Sequence, residues 1–125
     1  ALCQEAGQDK AVQAQQSGLA GTRDDIGARM SGSVVTRDKV EEYLTLTSEA
    51  RSKATPCAEG AEDEARLVSM LRMCDDYAAD ARHFMESGNL VRAFGAINYS
   101  HAWLDAAVRI GLLDGHGDDR LFTLP

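Results

Sequence analysis

Proline is almost missing from this chain: Pro56 and Pro125 are the only two in 125 residues. With Ala, Leu, Arg and Glu abundant, that scarcity favours uninterrupted helices. No run of about 18 apolar residues occurs, so no membrane-spanning helix is expected. Cysteine is limited to Cys3, Cys57 and Cys74. An odd count without a close pair does not read as a disulfide framework, and a reduced cytoplasm is the expected milieu. The first residues, Ala-Leu-Cys-Gln-Glu, carry neither a charged nor an apolar leader segment, so no signal peptide is expected. The chain lacks a phosphate loop, a paired CxxC, an HExxH and a nucleophile elbow. Those gaps remove several common enzyme classes, and no cofactor or metal is expected.

Lysine is the other scarcity. Lys10, Lys39 and Lys53 stand against ten arginines, and 20 acids outweigh 13 bases to leave a net charge of −7. A net-acidic chain is a poor default binder of a nucleic-acid backbone, which needs clustered cations. Excess carboxylate with little lysine is the composition expected in a salt-rich cytoplasm, where self-repulsion is screened.

Periodicity divides the chain. Residues 1–33 hold five glycines, five glutamines and little apolar bulk, which predicts a flexible or marginally helical N-terminal arm. From residue 34 to 125 the pattern is that of a helical bundle domain. Thr36 can cap a first helix, with Val35 and Val40 as a hydrophobic staple. Val40, Tyr43, Leu44, Thr47, Ala50 and Ala54 then share one face, and Thr55-Pro56 ends the helix. Glu62, Asp63 and Glu64 suit the positive end of a second helix. Leu67, Met70, Leu71, Cys74, Tyr77, Ala78, Ala81, Phe84 and Met85 form its continuous apolar stripe. Ser87-Gly88-Asn89 reads as a tight turn, with Gly88 left-handed and Asn89 capping the next helix.

A third helix is predicted over about 90–113, with two apolar stripes on nearly opposite sides. One runs Leu90, Phe94, Ile97, Leu104, Val108 and Leu112. The other runs Ala96, Tyr99, Trp103, Ala106, Ile110 and Leu113. No strand is predicted, and Leu121–Leu124 reads as an apolar tail folding back on the bundle. The expected fold is therefore all-α: a small bundle built on an antiparallel hairpin of helices two and three, with a shorter first helix.

Few residues look able to carry chemistry. Asp76, Asp80 and His83 mimic half of a di-metal carboxylate motif, but they lie opposite the apolar stripe and read as a solvated acidic face. Arg92, Asn98, His101, Asp105 and Arg109 are polar positions on the third helix. His101 is expected near Asp75 or Cys74 across the hairpin, with Asp105 four residues on to orient its ring. Arg109 and His116 sit at the edge of the arginine–histidine spacing of HEPN ribonucleases, across a glycine and a helix stop. Tyr99, Trp103, Ile110 and Leu113 form the side most suited to an interface. A two-sided apolar helix needs more cover than one short helix supplies.

Several stretches also resemble a known family. They are "FMESGN" (Phe84–Asn89), "RAFGAINY" (Arg92–Tyr99), "WLDA" (Trp103–Ala106) and "RIGL" (Arg109–Leu112). With "VEEYLTLTSEA" (Val40–Ala50) and "LFTL" (Leu121–Leu124), they are similar to the archaeal domain-of-unknown-function family 357. The likeness covers about residues 34–125. It implies a cytoplasmic archaeal helical bundle and no transferable activity. The function expected is a non-catalytic helical interaction module, archaeal and halophilic, forming a homodimer or docking on a protein partner. A HEPN-like RNA-processing or RNA-binding protein is the alternative.

Overall fold

The structure, a computed structural model, describes residues 31–125. The predicted arm lies outside the described residues, apart from a 3-10 turn at Ser31–Ser33. Three helices follow: α1 (Arg37–Lys53), α2 (Ala61–Glu86) and α3 (Leu90–Arg109). Helices two and three form the expected antiparallel hairpin, and the all-α reading holds.

The ends of the helices are set by local chemistry. Thr36 is extended, and its hydroxyl accepts from the Lys39 amide at 3.2 Å. Val40 beside it is fully buried. Between α2 and α3, Gly88 has φ +81. The Asn89 amide bonds the Phe84 carbonyl at 2.8 Å and the Gly88 amide bonds that of Met85 at 3.1 Å. This is a Schellman turn. The Asn89 side chain then accepts from the Arg92 amide and starts α3.

α3 stops earlier than the predicted 113. Gly111 also has φ +81, and a second Schellman turn joins the Leu112 amide to the Ala107 carbonyl at 2.9 Å and that of Gly111 to Val108 at 3.2 Å. A glycine that can turn left-handed ends the helix although the apolar pattern continues through it. Leu112 and Leu113 thereby leave the helix and stay buried in the core. The chain also forms one small antiparallel pair that periodicity did not predict: β1 (Thr55–Pro56) with β2 (Leu113–Asp114). The Cys57 amide extends it to the Leu112 carbonyl at 3.0 Å.

α1 runs parallel to α3. Tyr43 stacks on Phe94 with ring centroids 5.0 Å apart, and Thr47, one turn on, meets His101. The tail closes the bundle: Leu121 and Phe122 are buried among Ala50, Leu104, Ala107 and Val108. Three sides of α3 are thus taken by α1, α2 and the tail, and one side is left open.

Candidate functional site

The polar residues of α3 divide between the interior and the surface. His101 is buried, with its Nε2 2.7 Å from the Leu121 carbonyl and its Nδ1 2.9 Å from the Thr47 hydroxyl. A carbonyl only accepts, so Nε2 carries a proton, and in the neutral ring the Thr47 hydroxyl donates to Nδ1. Asp105 is buried too, but it does not orient the ring as expected. Its Oδ1 is 3.9 Å from Nε2, beyond hydrogen-bond reach. The carboxylate instead accepts the Thr123 amide at 2.8 Å and the Thr123 hydroxyl at 3.3 Å.

The residue meeting Cys74 across the hairpin is Ser100, not His101. Its hydroxyl donates to the Cys74 carbonyl at 2.6 Å. Burial pushes the Cys74 thiol up, and its contact with Ser100 opposes that. Asp75 faces α1 and pairs with Arg51 at 2.9 Å. The expected placement of His101 is corrected by the geometry of the turn, which sets residue 100 level with 74. His101 points one helical step away, towards α1 and the tail. Of these groups, His101 and Asp105 anchor Leu121–Thr123.

An open groove of about 540 Å³ lies between Ser48, Ser52, Lys53, Asp118 and Arg120. Its charges satisfy one another: Lys53 to Asp118 at 2.8 Å and Arg120 to Glu49 at 2.6 Å. The Lys53 ammonium holds the Asp118 carboxyl below the usual range. His116 lies outside α3 with φ 56. Its Nε2 is 2.9 Å from the Thr55 hydroxyl, while Arg109 is the last helical residue of α3. The two do not share a helical face. Asp76, Asp80 and His83 are exposed, and no metal-binding group of three ligands occurs among the described residues.

The remaining feature is the outer face of the hairpin. Tyr77 of α2 meets Tyr99 of α3 edge-on with centroids 4.5 Å apart, and Tyr99 meets Trp103 at 6.0 Å. Tyr99 is 46% exposed and Ile110 is 62% exposed. Trp103 is half-buried against the core, and its shielded indole N–H has no acceptor among the described residues. Leu113 is 4% exposed, covered by its own chain. The four expected interface residues therefore split: Tyr99 and Ile110 lie open, Trp103 forms an edge, and Leu113 belongs to the core.

Sequence reasoning placed Ala106 on this side but missed Val91, Gly95 and Ala102. All four are exposed on α3 and, at 100° per residue, lie within about 80° of Tyr99. Arg92 and Arg109 flank them, Arg92 with its guanidinium 4.3 Å from the Phe84 ring centre. Asn98 is half-buried at the margin and bonds the Phe94 carbonyl at 2.9 Å. The signal was available: the only acid of α3 is Asp105, and it is buried.

The fold and this face define a small three-helix bundle with one uncovered side and no convergent catalytic set among the described residues. Residues 42–113 match the family model described as Protein of unknown function (DUF357), and the chain belongs to that family. No curated protein and no solved structure matches the chain. No helix among the described residues is long and apolar enough to cross a membrane.

Proposed function

We propose that the protein is a non-catalytic helical interaction module, with residues 34–125 as the working unit and the outer face of the α2–α3 hairpin as the docking surface. One observation carries this reading. In a chain of net charge −7, the open side of α3 holds Val91, Tyr99 and Ile110 exposed among Gly95, Ala102 and Ala106, and its only charges are arginines. Large apolar side chains left exposed along one side of a helix, with polar residues at its edges, suit an interaction surface. Small residues between the larger ones let a partner helix approach closely.

The test is cross-linking in native cells expressing either the wild-type chain or Ile110→Asp. Ile110 is exposed, so the variant should fold with stability within about 0.5 kcal/mol of wild type. Wild type is expected in higher-mass adducts that the variant loses. Equal adducts from both chains would exclude this face.

The family resemblance and the acidic, lysine-poor composition support an archaeal, salt-adapted cytoplasmic protein. At low salt the carboxylates repel one another unscreened. The melting temperature is therefore expected to be clearly higher in about 2 M KCl than in about 0.1 M. Equal melting temperatures would remove the salt adaptation.

A further inference from the structure

We infer that the occupant of the outer face is a second copy of this chain, seated with its α2 on α3 and its α3 on α2. The inference rests on the docking surface proposed above and names its partner.

The charges of the two helices are complementary. The open side of α3 carries Arg92 and Arg109 and no acid. The open side of α2 is set by Tyr77, because Asp75, on its far side, pairs with α1. Glu62, Met73 and Asp80 lie within about 60° of Tyr77 at 100° per residue. Glu62 and Asp80 are both exposed, and Asp80 makes no ion pair among the described residues. Arg66 also falls on this side, but Asp63 at 2.8 Å and Glu62 at 3.8 Å already match it. That group keeps a net charge of −1.

The register decides between the two ways a face can meet its own copy. Ser100 is level with Cys74, and Arg92 is level with Phe84. Asp80 is thus about one helical turn from the level of Arg92, and Glu62 is about one turn from that of Arg109. With the two-fold axis parallel to the helices, α3 lies on α2 of the second copy at equal height. Arg92 then approaches Asp80 and Arg109 approaches Glu62, twice over by symmetry. With the axis perpendicular, α3 lies antiparallel on α3 and Arg92 opposes Arg109. The first arrangement matches charge and the second opposes it. A face about 20 Å wide and about 30 Å long is of the order that a standard interface buries on each partner, about 800 Å².

Sedimentation equilibrium of the full chain at tens of micromolar tests this, with two charge-reversed chains. One carries Arg92→Glu and Arg109→Glu; the other carries Glu62→Arg and Asp80→Arg. All four sites are exposed, and circular dichroism verifies that each variant folds. Wild type is expected to be dimeric. Each variant alone is expected to weaken dimerisation at least tenfold, because both of its α2–α3 contacts become like-charged. An equimolar mixture should restore dimers, since every contact between the two variants is again opposite in charge. A monomeric wild type overturns the second copy as occupant, and the cross-linking of Ile110→Asp still reports on the face. Variants that dimerise as wild type does, or a mixture that stays monomeric, overturn the parallel register.

Discussion

Phe122→Ala is expected to lower stability by about 3–5 kcal/mol, the range for deleting a buried aromatic side chain. Phe122 is 1% exposed. Its ring packs where Ala50 of α1 and Leu104 and Val108 of α3 converge. It also presses on Gly115, where a Cβ would come within 2.9 Å of the ring. Removal would leave a cavity that the tail alone cannot refill, because Leu124 is already packed against the same cluster. For a domain of this size the loss corresponds to a fall in melting temperature of roughly 12 °C or more. Urea unfolding followed by circular dichroism measures it. A change below about 1 kcal/mol would mean that the tail adds little to the core.

The first two helices and the hairpin were legible because their signals are local. Thr36 is a cap by its own chemistry, Pro56 stops α1, and Gly88-Asn89 has few conformations that fit. The Leu67–Ala81 stripe needs only helical geometry to become a buried face. Gly111 failed as a signal because the apolar pattern runs on to Leu113, and periodicity outweighed the glycine. The β1–β2 pair is two residues long on each side, too short for any alternation. It arises because both segments leave helices at the same end of the bundle.

The open face was half legible. Tyr99 and Ile110 could be picked out as surplus apolar residues. Which side of α3 stays uncovered depends on where α1 and the tail settle, and that is tertiary. Tail docking also explains why Leu113 and Trp103 differ from Tyr99: the connection after Gly111 buries Leu113, and core packing takes most of the indole. The interior partners were not legible. His101 could be assigned to the hairpin but not to Thr47 and Leu121, which lie 54 and 20 residues away.

His101→Leu is expected to cost about 1–3 kcal/mol, chiefly because the Leu121 carbonyl loses its partner inside the core. The Thr47 hydroxyl suffers less, since a helical threonine can turn to the carbonyl four residues back. Asp105→Leu should act on the neighbouring link, orphaning the Thr123 amide at a similar cost. Both residues hold one segment, Leu121–Thr123, against α3. Once either link is cut, the segment loosens, water reaches the second, and cutting it costs less. The double variant is therefore expected to lose less than the sum of the singles by at least about 0.5 kcal/mol, the mark of coupled sites. Urea unfolding of the three variants supplies the cycle. Strict additivity would mean that the histidine and the aspartate anchor the tail independently.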